Sequence, residues 1–280
     1  LLIYYLFKII STIKYNTKHS VYLTILFVLI PVFIYFEICV VLPTVAEIWT
    51  TAYCVHISCI TFLLINIIGN MIYGMFTNTS IKGVYLTNVN KEAWTLCTAC
   101  EALRPPRAWH CETCDICILK RDHHCTFFAC CVGYYNHRYF MYFTLYMFLS
   151  MLYAFYYNVH FLMQFLTWSH GLIIAKFAFP LASIFIDFGS ESLYILLVVI
   201  NAIVAGFTGF LFFYHLNNVL LGKTTPERRH NTKTSLYNRG WRCNMAEVFG
   251  TRWYLTWISP FIKSPLLSNG TEWIVEDKYK

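Results

Sequence analysis

Four apolar runs, at residues 21–43, 51–76, 139–165 and 192–221, are each long enough to cross a bilayer, and they restrict the fold more than any other feature. A helix needs about 20 apolar residues to span the hydrocarbon layer. Inside lipid no water satisfies backbone N–H and C=O groups, so a segment crossing alone has to be helical. Only 12% of the residues are charged and 58% are hydrophobic, against roughly 25% charged in an average soluble domain.

Charge sets the expected orientation. The turn at 44–50 carries Glu47 and no Lys or Arg, so the first two runs form a hairpin with a short far-side connection. Lys8, Lys14 and Lys18 precede the first run, and Lys82, Lys91, Arg104, Arg107, Lys120, Arg121 and Arg138 fall in the polar block 77–138. Positive residues mark cytoplasmic loops, which puts both segments on the cytoplasmic side. The tail 222–280 carries Lys223, Arg228, Arg229, Lys233, Arg239 and Arg242 and belongs there too. An even number of crossings must then separate block and tail. The short apolar segment 171–188, with Lys176, Pro180 and Asp187, is therefore read as a far-side interfacial or re-entrant piece. Residues 1–20 read as a cytoplasmic, interfacial helix with no cleavable signal peptide. The net charge of +7 is spread over short segments beside apolar runs, which favours a bilayer over nucleic acid as partner. On the last run, Ala202 with Gly206 and Ala205 with Gly209 repeat small residues four apart, a pattern that lets helices approach closely.

Eight of the twelve cysteines lie between Cys97 and Cys131 in the pattern C-x2-C-x9-H-C-x2-C-x2-C-x4-D-H-H-C-x4-C-C. A cytoplasmic location keeps thiols reduced and argues against disulfides. The C-x2-C spacing suits tetrahedral zinc. Candidate ligands are the eight cysteines with His110, His123, His124 and His137, and two tetrahedral sites would use eight of these twelve. With Pro105 and Pro106 near its centre and few apolar runs, the block has little core of its own, so metal supplies its folding energy. The expected class is an all-α polytopic membrane protein: four transmembrane helices, with a small zinc-stapled cytoplasmic domain between helices 2 and 3.

Cys125 follows Asp122, His123 and His124 directly. An imidazole that takes the proton of a thiol generates the thiolate nucleophile, and a carboxylate can orient that imidazole. One histidine then remains for zinc. Spacing equally permits Cys125 to be a zinc ligand and the block to be purely structural.

The block resembles the cysteine-rich domain of the DHHC protein S-acyltransferases, or palmitoyltransferases, which move a long-chain acyl group from coenzyme A to protein cysteines. The likeness is carried by Cys97 to Phe140, including Arg104-Pro105, Arg107, His110-Cys111, Asp122 to Cys125, Cys131, Gly133 and Asn136. Thr224-Thr225-Pro226-Glu227 resembles the family's TTxE motif, and Asn244 with Val248-Phe249-Gly250 its C-terminal Asn-containing motif. Phe127 stands where the family often has Trp, and Ala129-Cys130 where a polar pair is common; Cys130 is read as a space-filling thiol.

The resemblance implies that Cys97, Cys100, His110 and Cys117 hold one structural zinc and Cys111, Cys114, His124 and Cys131 a second. It implies that Cys125 carries the acyl group, that His123 activates it, that Asp122 orients His123 and that Thr225 supports Asp122. The co-substrate is then acyl-CoA, palmitoyl-CoA in particular, whose chain lies among the spans. Lys120, Arg121, Arg138, Lys223 and Arg242 are candidates for its phosphates or, equally, for anionic lipid. Protein partners are substrates with cysteines accessible at the cytoplasmic face. An endomembrane, Golgi or endoplasmic reticulum, is expected in preference to the plasma membrane.

Overall fold

The computed structural model describes residues 28, 30–83, 94–165, 170–186, 189–229 and 236–273. Within these the apolar runs are helical, as dry surroundings demand. Helix α1 covers Ile30–Val45 and α2 Thr51–Phe76. Strands β1 (Thr95–Cys97), β2 (Ala102–Arg104), β3 (Trp109–Cys111), β4 (Ile116–Ile118), β5 (His123–Cys125) and β6 (Cys130–Val132) follow. Then come α3 (His137–Phe165), α4 (His170–Ala178), α5 (Pro180–Ile186), α6 (Ser190–Leu220), α7 (Thr225–Arg229) and α8 (Trp241–Phe249).

Three helices, Thr51–Phe76, His137–Gln164 and Ser190–Leu220, are long and apolar enough to cross a membrane; Ile30–Val45 is shorter. On α6, Ile203, Phe207, Phe210 and Phe213 form one exposed stripe at helical spacing, costly in water and free in lipid. The interfacial helix expected over residues 1–20, and residues 21–27 and 29 of the first expected span, lie outside the described residues. So do Lys91, Asp187 and Lys233.

Two compact units divide the described chain. The described parts of Ile25–Ile65 and Thr144–Phe212 make up one. In it Phe36 packs edge-on to Phe161 at 6.0 Å and against Tyr194 at 5.7 Å. Phe36–Val41 is a π-helical turn within α1, and Glu37 there accepts a hydrogen bond from Asn158 Nδ2 at 2.7 Å. Segment 171–188 falls largely in two short helices, α4 and α5, separated at Phe179 because the residue before Pro180 is disfavoured in the helical conformation.

The other unit takes the described parts of Asn66–Phe143 and Phe213–Lys280. Its cysteine-rich block departs from an all-α description: it is three antiparallel hairpins, β1–β2, β3–β4 and β5–β6. Their turns pass through Glu101, Asp115 and Ala129, all with positive φ near 50°. Strands suit this block because a short hairpin aims alternate side chains to opposite faces, which a metal cluster uses directly. Behind the block, Tyr134 Oη donates to the Ser268 carbonyl at 2.9 Å, and Tyr142 Oη lies 2.8 Å from Thr256 Oγ1. Trp273 Nε1 donates to the Pro106 carbonyl at 3.0 Å. Helix α6 ends in a left-handed Gly222 (φ 64°), with Gly222 N–H bonded to the Val219 carbonyl and Lys223 N–H to that of Asn218. That turn brings Thr225 back toward the hairpins.

Of the small-residue pairs on α6, only one meets a tight contact. A Cβ on Gly209 would lie 2.7 Å from the Phe148 ring, whereas one on Gly206 would meet nothing within 4 Å. Gly209→Val is expected to destabilise by about 1–3 kcal/mol through overpacking. Gly206→Val should stay within about 0.5 kcal/mol. Thermal denaturation of the two variants in detergent checks the contrast.

Candidate active site and metal centres

Hairpin register sorts the cysteines and histidines. Residues facing each other across a pair share a face, and neighbours along a strand do not. In β3–β4 the partners are His110 and Cys117, while Cys111, next to His110, points away from them. In β5–β6 the partners are His124 with Cys131 and Cys125 with Cys130. His124 therefore faces one way, and His123 with Cys125 the other.

Two clusters of three thiols and one imidazole result: Cys97, Cys100, His110 and Cys117, and Cys111, Cys114, His124 and Cys131. Within each, all ligand atoms lie within 4.8 Å of one another. In the second, His124 Nδ1 is 3.6, 3.3 and 3.7 Å from Cys111, Cys114 and Cys131 Sγ, and Cys114 Sγ is 3.8 Å from Cys131 Sγ. A tetrahedral zinc with its usual bonds spaces S and N about 3.6 Å apart and S and S about 3.8 Å. The donor set and spacing are thus consistent with two zinc ions. The first cluster is less evenly spaced, with His110 Nδ1 3.2 Å from Cys100 Sγ and 4.0 Å from Cys117 Sγ.

On the opposite face stands the candidate reacting group. Asp122 is 1% exposed. Its Oδ2 lies 2.8 Å from His123 Nδ1 and accepts from Thr225 Oγ1 at 2.9 Å; Oδ1 accepts from the Thr225 backbone N–H at 2.9 Å. Burial alone would raise the carboxyl pKa, but the His123 and His215 imidazoles beside it outweigh that and hold the group well below the usual carboxylate range. With Nδ1 of His123 engaged by Asp122, Nε2 is the nitrogen left to take a proton. Cys125 is buried, which pushes its thiol up to about 11 against the pull of the Phe128 and Phe127 backbone N–H groups. A thiol so raised becomes a nucleophile at neutral pH only if a base takes its proton.

Two partnerships were not legible in the sequence, those of His215 and Arg107. His215, near the end of α6, has Nδ1 3.2 Å from Asp122 Oδ2. In the sequence it is one polar residue in an apolar run, and no local pattern pairs it with Asp122. Arg107, beside the prolines, forms a two-pronged pair with Glu227, Nε to Oε1 at 2.7 Å and Nη2 to Oε2 at 2.9 Å, and its Nη1 reaches Glu247 at 3.2 Å. Tyr237 and Trp273 stack on its guanidinium at 4.4 and 4.6 Å. The TTxE-like segment thus supports Asp122 through Thr225 and Arg107 through Glu227. Asn244 Nδ2 donates to the Leu220 carbonyl at 2.9 Å and so closes the end of α6.

The five basic residues considered for phosphate are not brought together as one surface. Lys120 is buried and bonded to Glu247 at 2.5 Å, with burial lowering its pKa. Arg138 is buried, with Nη2 on Tyr139 Oη at 2.6 Å. Arg121 and Lys223 are half-buried, and Arg242 is exposed beside Trp241. Removing Arg107 would strand two carboxylates in a buried place, so Arg107→Ala is expected to cost about 3–5 kcal/mol. Thermal unfolding in detergent measures it, and Lys223→Ala should be near neutral beside it.

Comparison with known proteins matches residues 90–232 to the family model of DHHC palmitoyltransferases. The probable palmitoyltransferase ZDHHC24 of Mus musculus is 32% identical over 220 residues, covering 75% of this chain and 74% of its own. That of Danio rerio is 34% identical over 232 residues, covering 80% and 76%. The palmitoyltransferase ZDHHC2 of Homo sapiens is 30% identical over 174 residues, 60% of this chain and 43% of its own. A match across half the chain, centred on the clustered cysteines and the Asp122-His123 pair, means that this protein belongs to the DHHC palmitoyltransferase family.

Proposed function

We propose that the protein transfers a long-chain acyl group from acyl-CoA to cysteines of proteins at the cytoplasmic face, through an acyl-Cys125 intermediate. The observation that carries the reading is the Asp122 carboxylate 2.8 Å from His123 Nδ1, on a strand whose alternation turns His123 and Cys125 to the same face. His123 Nε2 takes the Cys125 thiol proton, and Sγ attacks the thioester carbonyl. The C–S bond to CoA breaks, and CoA leaves as a thiol with the proton from His123. A substrate thiol then gives its proton to His123 and attacks the acyl-enzyme, and Cys125 departs as the thiol. One thioester is exchanged for another, so water is the competitor. The long helices offer the acyl chain a dry place, and each buried CH2 contributes about 0.8 kcal/mol.

In this reading Cys97, Cys100, His110 and Cys117 hold one zinc and Cys111, Cys114, His124 and Cys131 the other. The zincs supply folding energy and keep the hairpins in register; their ligand sets are closed and leave no position for substrate. Four crossings put both termini and the cysteine block in the cytoplasm of a Golgi or endoplasmic reticulum membrane. Among the basic residues, Arg121, Lys223 and Arg242 retain exposure that suits CoA phosphates better than the internally bonded Lys120 and Arg138.

Purified protein incubated with a clickable acyl-CoA should take up label that neutral hydroxylamine removes, and Cys125→Ser should take up none. Label that resists hydroxylamine, or persists in Cys125→Ser, would sink the acyl-Cys125 assignment. Metal analysis should give two zincs per chain, and His124→Ala should lose one of them along with thermal stability. Fewer than two zincs in the unaltered protein contradicts the ligand sets.

A further inference from the structure

Asp122 Oδ2 is crowded. Thr225 Oγ1 donates to it at 2.9 Å, His123 Nδ1 lies 2.8 Å away and His215 Nδ1 3.2 Å. A carboxylate oxygen offers about two lone-pair directions, and here three groups converge on one. His215 Nδ1 is buried, is within ion-pair reach of Asp122 and, among the described residues, lacks the alignment of a hydrogen bond to any group. A buried imidazole N–H of this kind costs desolvation unless something offsets it. Among the described residues, the one acidic oxygen it is paired with is that of Asp122.

Ring packing adds a second, independent constraint. The His215 ring lies 4.9 Å from that of His123 at 34°, and Phe140 meets both edge-on, at 4.7 Å from His123 and 4.9 Å from His215. The three rings pack as a near-equilateral triangle, with Asp122 gripping His123 Nδ1. Both His215 and Thr225 come from the end of α6 and the turn beyond it, so one stretch of chain sets the carboxylate from two sides.

We propose that His215 is a positioning residue for acyl transfer: its Nδ1–H holds Asp122 Oδ2 toward His123, so that His123 Nε2 stays aimed at the Cys125 thiol. This rests on the acyl-Cys125 reading above. His215 acts through Asp122 and the His123 ring, both of which it meets directly. Losing it frees the carboxylate to rotate, and an ångström of misplacement in a reacting group costs on the order of 100-fold. Partial loss of aim should cost less.

Two variants separate a donor from a spacer. His215→Asn carries an amide N–H close to where Nδ1 stands and loses the ring, while His215→Phe keeps the ring and its packing on Phe140 but loses the donor. The full chain in lipid nanodiscs is reacted with clickable acyl-CoA over a range of concentrations, and maximal labelling rate and half-saturating concentration are read for each. His215→Phe should lower the maximal rate by about 10-fold or more with half-saturation unchanged, and His215→Asn should restore it to within about threefold of the unaltered protein. Zinc should remain at two per chain in both. A wild-type rate in His215→Phe overturns the proposal, as does a loss in His215→Asn equal to that in His215→Phe. A third metal in the unaltered protein that His215→Phe removes also overturns it, since Asp122, His123 and His215 would then be metal ligands. Should His215→Phe lose its zinc and fail to fold, His215→Asn decides alone, a wild-type rate supporting the donor role and a large loss rejecting it. Cys125→Ser in the same assay isolates the underlying reading: persistent label there removes that reading, whereas its absence with an active His215→Phe removes only the proposal.

Discussion

A carboxylate at 1% exposure remains an anion only when donors replace nearly all of its water. Asp122 meets that demand with the Thr225 backbone N–H, the Thr225 hydroxyl and His123, and with His215 at longer range. These groups come from β5, from the last turns of α6 and from the start of α7. The carboxylate therefore ties the cysteine-rich block to the end of a long apolar helix. If the hairpin register slipped by one residue, Asp122 would part from Thr225 and His215 together.

Around that carboxylate the block is held by means other than an apolar core. Two clusters of three thiols and an imidazole pin the hairpins to one another. Arg107 then joins Glu227 and Glu247, with Lys120 on the same Glu247. Burial would raise the Glu247 pKa, but the Lys120 and Arg107 charges beside it hold it below the ordinary carboxylate range. An ion cluster this buried contributes little net stability, yet it penalises any arrangement that separates its members. Here it fixes where the TTxE-like turn sits, and so where Thr225 meets Asp122.

Several features were legible in residues alone for plain physical reasons. Long apolar runs read as helices because hydrocarbon leaves the backbone no other partner. Cysteines two residues apart read as metal ligands because one turn can present both thiolates to one ion. The hairpins were not legible, since strands of three residues are too short for an alternation pattern to emerge. The basic residues misled in part. Lys120 and Arg138 look like surface charges in a cytoplasmic loop, but Glu247 and Tyr139, far and near in sequence respectively, draw them inside.

By itself the sequence determined the membrane-spanning character, the presence of metal-binding chemistry, and a nucleophile-like cysteine beside two histidines and an aspartate. These follow from composition and from contacts between near neighbours, which spacing encodes. Tertiary structure decided which histidine faces the metal cluster and which faces Asp122, because strand alternation, visible only once β5 pairs with β6, sends His124 one way and His123 the other. It alone also brought His215 and Thr225 onto the carboxylate, since a contact between distant segments depends on how the end of α6 turns at Gly222, and no local pattern records that.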